Sequence, residues 1–213
     1  MPAENFRHVD AWVFDLDNTL YPPSARLFDQ IDARMTEVVM RVTGAGRDES
    51  DRIRHQYWQA YGTTLAGLMA HHGLDPEPYL VEVHDIDFSA LEPDPGLRAA
   101  IARLQGRRIV YTNGSAPYAR RVIAARGLDG LFDAVYGVED AGYAPKPQPQ
   151  AYARVFAADR LDPGRAAMFE DDPRNLRVPH ALGMRTVLVG PDPLAEDHIH
   201  HHTDDLAAFL NRL

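Results

Sequence analysis

Short apolar runs that stop abruptly at polar residues set the strongest limit on this fold. Ala11-Trp12-Val13-Phe14 runs straight into Asp15-Leu16-Asp17-Asn18-Thr19. Arg108-Ile109-Val110-Tyr111, Ala166-Ala167-Met168-Phe169 and Thr186-Val187-Leu188-Val189 repeat the pattern, and Phe132-Asp133-Ala134-Val135-Tyr136 repeats it more weakly. Such runs are buried strands that end in loops. Helical spacing lies between them. Leu97, Ile101 and Leu104 form one set; Ala119, Val122, Ile123 and Leu128, after Pro117, form a second; Tyr152, Val155 and Phe156 form a third. Strands alternating with helices predict a parallel sheet covered on both faces.

Residues 22–92 break the alternation. Leu27, Ile31, Met35, Val38 and Val42 mark a long amphipathic helix, and three shorter helical sets follow around Tyr57-Trp58-Tyr61, Leu65-Leu68-Met69 and Tyr79-Leu80-Val83. No strand pattern occurs in this stretch. The predicted fold class is therefore α/β: a Rossmann-like, doubly wound parallel sheet with a small all-helical cap inserted after the first strand. Residues 1–21 and 93–213 form the predicted catalytic core, and residues 22–92 the cap. Tyr21-Pro22-Pro23 and residues 91–96, rich in proline, are the expected hinges.

Composition narrows the partners. The net charge is −9 with no basic stripe, which argues against nucleic-acid polymers. The chain has no cysteine, so thiolate chemistry and disulfides are excluded. No apolar run approaches the roughly 20 residues of a bilayer span, and the first ten residues contain no apolar signal core. The expectation is a soluble cytoplasmic protein acting on a small molecule. The sequence carries no signal for oligomeric state.

Ligands of open α/β sheets bind beyond the carboxyl ends of the strands. Asp15 and Asp17 follow the first strand, Thr112, Asn113 and Gly114 the second, and Glu170, Asp171 and Asp172 the fourth. Lys146 lies in the loop Ala144-Pro145-Lys146-Pro147. Clustered carboxylates repel one another unless a cation sits among them. Magnesium takes oxygen ligands, one or two of them carboxylates, and Asp15, Asp171 and Glu170 are its candidates. A carboxylate can then attack a phosphate in line, and a second carboxyl, Asp17, can give and later take the proton. Thr112 and Asn113 can donate to phosphate oxygens, and Lys146 supplies positive charge to the transition state.

These motifs resemble those of the haloacid dehalogenase-like superfamily. Asp15-Leu16-Asp17-Asn18-Thr19 looks like its DxDxT signature, Thr112 its second motif, Lys146 its third, and Glu170-Asp171-Asp172 its fourth. The resemblance implies a magnesium-dependent phosphohydrolase with Asp15 as nucleophile and Asp17 as general acid and base. It implies metal ligation by Asp15, the Asp17 backbone carbonyl and Asp171, with Glu170 ligating directly or through water. The stretches 15–22, Tyr61-Gly62-Thr63-Thr64-Leu65, Val83-His84-Asp85 and Asn175-Leu176 resemble the pyrimidine 5′-nucleotidase branch, which implies nucleoside 5′-monophosphate substrates. Phosphosugar phosphatase or mutase, 2-haloacid dehalogenase and a non-enzymatic binding module are the alternatives. Asp17 and the acids at 170–172 speak against dehalogenase chemistry, which needs neither metal nor a leaving-oxygen proton.

Other features read more plainly. Asp172 departs from the expected small or apolar residue and reads as a helix N-terminal acid rather than a ligand. Asn175 is either a site-facing amide or a first-turn residue. His198, His200, His201 and His202 read as a surface loop, because adjacent histidines diverge. Thr203 reads as a helix cap. Tyr57, Trp58 and Tyr61 read first as packing among the cap helices. With Thr63, Thr64 and His84 they are also the candidates for meeting a flat ring.

Overall fold

The computed structural model describes residues 2–213. Its elements run in the order α1 (Pro2–Asn5), β1 (Ala11–Phe14), α2 (Leu27–Thr43), α3 (Arg47–Tyr61), α4 (Thr64–His72), α5 (Pro76–Val83) and α6 (Pro95–Ala102). Then follow β2 (Arg107–Tyr111), α7 (Ala116–Ala125), β3 (Ala134–Tyr136), α8 (Pro149–Asp159), β4 (Ala166–Glu170), α9 (Pro173–Ala181), β5 (Arg185–Val189), β6 (His201–Thr203) and α10 (Leu206–Leu210).

The six strands form one sheet in the order β3-β2-β1-β4-β5-β6, every pairing parallel. β1 lies at its centre, with Phe14 opposite both Val110 and Phe169. Burial on both faces explains the uninterrupted apolar runs. Phe14 and Val110 face one buried cluster, while Val13, Ile109 and Met168 face another across the sheet.

Helix starts are written locally. Asp75, Asp94 and Asp172 each accept a hydrogen bond from the first turn of a helix that opens with proline. The aspartate satisfies a free N–H, and proline lacks one to satisfy. Asp172 is thus a cap paired with Arg174 at 2.6 Å, as its sequence reading expects. α10 is capped by Asp205, whose side chain accepts from Ala208 N. Thr203, the sequence candidate for that cap, instead exchanges hydrogen bonds with the Asp205 backbone.

The histidine-rich stretch also departs from its loop reading. β6 begins at His201, a three-residue edge strand too short and polar for its pattern to show. His198, His200 and His202 bond separately to Pro173 O, Thr186 and Gly190 O, so they do not converge.

Between β1 and α6 lie only helices and loops. α2 packs on α3 and α5, and α3 packs on α4. Gly67 makes the last contact possible: a Cβ there would lie 2.2 Å from the Tyr57 ring. No helix among the described residues is long and apolar enough to cross a membrane.

Candidate active site

β1, β2 and β4 deliver their polar ends to one place. Asp15 continues the β1 ladder, its N–H donating to Phe169 O, and the residue is 5% exposed. Lys146, the one lysine of the sequence, is 1% exposed and reaches the same point from the loop before α8. Its Nζ donates to Asp15 Oδ1 at 2.6 Å, Glu170 Oε2 at 2.7 Å and Tyr111 O at 3.0 Å. All three ammonium protons are therefore engaged. Burial alone would discharge this amine; Asp15 and Glu170 overcome that and hold its pKa above the ordinary lysine range.

The Lys146 backbone is fixed by Asn113. Asn113 Oδ1 accepts from Lys146 N at 2.8 Å, and Asn113 Nδ2 donates to Lys146 O at 3.1 Å. The sequence reading assigns the Asn113 side chain to a phosphate oxygen. Its carbonyl and one N–H hold the lysine loop, and the residue also lines the cavity. Gly62, at φ +90°, packs against the same loop; a Cβ there would lie 3.0 Å from Lys146 O. Thr112 is buried at the end of β2, with Oγ1 accepting from Gly114 N at 2.9 Å. Its hydroxyl proton stays available for a ligand.

Oxygen atoms of Asp15, Glu170 and Asp171 lie within 4.8 Å of one another. Burial raises the pKa of Asp15 and Asp171, and the nearby Glu170 charge raises both further. Three close carboxylates against one ammonium leave an excess of negative charge. An all-oxygen donor set of that kind fits a hard divalent cation. Asn18, in the left-handed region at φ 59°, donates to Asp171 Oδ2 at 3.2 Å and orients it. Asparagine tolerates that backbone better than most residues.

The Asp17 side chain stands apart from this group. Tyr21 and Tyr118 each donate a hydroxyl to its Oδ1 at 2.6 Å. Burial raises its pKa, and the Tyr118 and Tyr21 bonds oppose that rise. Tyr118 stacks on buried His84 with centroids 4.3 Å apart. Sequence spacing gave no sign of Tyr118, which lies 101 residues from Asp17.

The cavity above these groups has a volume of about 360 Å³. One wall is the strand ends, with Asp15, Thr112, Lys146 and Asp171; the other comes from α2, α3, α5 and the α3–α4 turn. Of the candidates for a flat ring, Trp58, Thr63, Thr64 and His84 line it. Trp58 is 43% exposed, not packed among the helices, and carries the Arg174 guanidinium 3.9 Å from its ring centroid. Tyr57 and Tyr61 bond to His72 and His71 instead. Asn175 lies in the first turn of α9 and also lines the cavity, with Oδ1 buried and unpartnered.

Residues 9–183 match the family model of haloacid dehalogenase-like hydrolases. The chain belongs to that family. Among curated relatives of this hydrolase, Phosphate metabolism protein 8 of Saccharomyces cerevisiae is 25% identical over 193 residues. That alignment covers 82% of this chain and 60% of the yeast protein. Glyceraldehyde 3-phosphate phosphatase of Methanopyrus kandleri is 25% identical over 197 residues, covering 85% and 84% of the two chains. Among solved structures, the HAD hydrolase YfnB of Bacillus subtilis, bound to magnesium, shares 15% identity at a TM-score of 0.63 and covers 96% and 98% of the two chains.

Proposed function

We propose that this haloacid dehalogenase-like hydrolase is a magnesium-dependent phosphomonoesterase that works through an aspartyl-phosphate on Asp15. The observation that carries the reading is the buried Lys146 ammonium held between Asp15 and Glu170, beside Thr112 and Asp17 in one cavity. The name of the Methanopyrus relative supports a phosphate ester as substrate.

Asp15, Glu170 and Asp171, with the Asp17 carbonyl, would hold the magnesium. Once bound, the cation neutralises phosphate charge and aligns the ester for in-line attack. An Asp15 carboxylate oxygen forms a bond to phosphorus as the bond to the leaving oxygen breaks. Asp17 gives that oxygen its proton. Water then attacks phosphorus, Asp17 takes back a proton, and the bond to Asp15 breaks to release phosphate. Lys146 opposes the rise in pKa that burial and Glu170 impose on Asp15 and faces the charge that develops on the transferred group; Thr112 donates to a phosphate oxygen. Asn113 contributes by fixing the lysine loop.

Residues 22–92 serve as a lid over the strand ends and exclude water during transfer, turning about Tyr21–Pro23 and residues 91–96. The substrate is a nucleoside 5′-monophosphate, pyrimidine preferred. The mixed wall containing Trp58, Thr63, Thr64 and His84 supports this. The Methanopyrus relative favours a second reading, a sugar phosphate.

The test is a panel of UMP, CMP, AMP, GMP and sugar phosphates, assayed with magnesium and with EDTA. Hydrolysis that stops with chelator is expected. Undiminished turnover in excess EDTA excludes the metal-dependent mechanism. A tenfold preference for a sugar phosphate over UMP and CMP excludes the nucleotide reading alone.

A further inference from the structure

The wall of the cavity formed by the helices is mostly apolar, with Ile31, Met35 and Val83 among its lining residues. Two charged side chains interrupt it. Asp32 comes from α2 and Arg54 from α3, and both line the same cavity as Asp15 and Lys146. Arg54 Nη1 donates to Asp32 Oδ1 at 2.6 Å, and Arg54 Nε donates to Asp51 Oδ1 at 3.4 Å. The Arg54 side chain is 11% exposed, so the guanidinium is fixed; that of Asp32 is 35% exposed.

A pair that only joins two helices spends its polar atoms on the joint. This one does not. Among the described residues, Arg54 Nη2 and Asp32 Oδ2 have no hydrogen-bond partner. The hydroxyl of Tyr79, which also lines the cavity, is buried and unpartnered, and Arg54 and Asp32 are the charges that bear on it most. A buried polar atom without a partner, as at the Tyr79 hydroxyl, is costly unless a ligand meets it.

We propose that Asp32 and Arg54 form a reading edge for the leaving group. The site presents a carboxylate acceptor beside a fixed guanidinium donor, flanked by apolar side chains. Its complement is a flat ring carrying a hydrogen-bond donor next to an acceptor, the edge of a lactam or an amidine. The uracil ring meets this with N3–H on Asp32 and O2 on Arg54. Cytosine meets it with its amino group on Asp32 and N3 on Arg54. Ring faces then rest on the apolar wall. A sugar phosphate has no such edge. The proposal rests on the phosphatase reading above and specifies which residues select the substrate.

The experiment compares kcat/KM for UMP and ribose 5-phosphate, which share phosphate and sugar and differ by the ring. The wild-type protein is expected to prefer UMP. Asp32→Asn is nearly isosteric, but with its oxygen kept on Arg54 it turns an N–H toward the ring donor. It should lower the UMP to ribose 5-phosphate ratio at least tenfold, about 1.4 kcal/mol of discrimination. Arg54→Lys, which keeps the charge and loses the planar fork, should lower the ratio in the same direction. Equal losses on both esters in both variants mean a purely structural pair and overturn the proposal. So does a wild-type protein that hydrolyses ribose 5-phosphate at least as well as UMP; that result leaves the phosphatase reading intact. No hydrolysis of either ester overturns both.

Discussion

Tyr118 and Asp17 lie 101 residues apart in sequence and are joined by a 2.6 Å hydrogen bond. Tyr21 donates to the same oxygen, Asp17 Oδ1, at 2.6 Å. With Oδ1 held twice, Oδ2 is the oxygen left for the proton transfer proposed for Asp17. Removing both phenols by Tyr21→Phe and Tyr118→Phe should free the carboxyl to rotate. Turnover of an alkyl phosphate is expected to fall on the order of 10-fold or more, as proton transfer loses its aim. The aspartyl-phosphate burst from p-nitrophenyl phosphate, whose leaving group needs little protonation, should persist. Equal loss of burst and turnover would show a general structural defect instead.

Asp15→Asn removes the proposed nucleophile and should abolish phosphoenzyme formation. Asp17→Asn should cost turnover by about 10² or more while an activated ester still phosphorylates Asp15. Acid-quench trapping of labelled enzyme distinguishes the two. Near-native turnover in Asp15→Asn refutes the assignment.

Lys146→Met leaves Asp15 and Glu170 buried without their common partner. Breaking a buried ion pair from one side costs about 3–5 kcal/mol. Thermal unfolding without metal should show a large drop in Tm, and magnesium should recover part of it by supplying the missing charge. A Tm within a degree or so of wild type would mean that the ammonium does not hold the carboxylates together.

On the proposed function, magnesium binding at the acid cluster is linked to protons. The folded-state pKa values of Asp15 and Asp171 are raised, chiefly by burial. Such groups stabilise the fold below their unfolded pKa and lose that contribution as pH rises through the folded value. The metal-free protein therefore carries the full cost of the cluster at higher pH, where the metal no longer competes with protons. The rise in Tm caused by magnesium should grow between about pH 5 and pH 8. A rise that shrinks over that window refutes the linkage.

His84 has the opposite sign. Burial lowers its pKa from 6.5 to about 4. Between those values the unfolded chain binds more protons, so stability falls as pH drops through the window. The span corresponds to about 3 kcal/mol. His84→Gln should flatten the pH dependence of unfolding there, read as the difference from wild type by denaturant titration. Parallel curves would place the titration elsewhere.

The sheet was legible because strands buried on both faces leave runs such as Val13-Phe14 and Met168-Phe169, and its polar ends follow each run. Those ends give Asp15, Thr112, Glu170 and Asp171 directly. β6 was not legible: an edge strand of three residues needs only His201–Thr203, with no apolar period to betray it. The hold of Asn113 on the lysine loop was not legible because its partner is a backbone 33 residues away. Asp32, Arg54 and Tyr118 stayed hidden for a related reason. On a helix, a polar residue facing a cavity looks like one facing solvent until the opposite wall is known.

One consequence concerns the accessibility of Lys146. Every other cationic side chain that is charged at all pH values is arginine, so the protein offers amine-directed reagents a single ε-amine. That amine is 1% exposed and has each proton donated to an oxygen. A lysine-acylating probe can react there only when the amine leaves both carboxylates and sheds a proton. The mass added beyond the α-amino group is thus a clock for spontaneous opening of the site, readable on unaltered protein without a substrate.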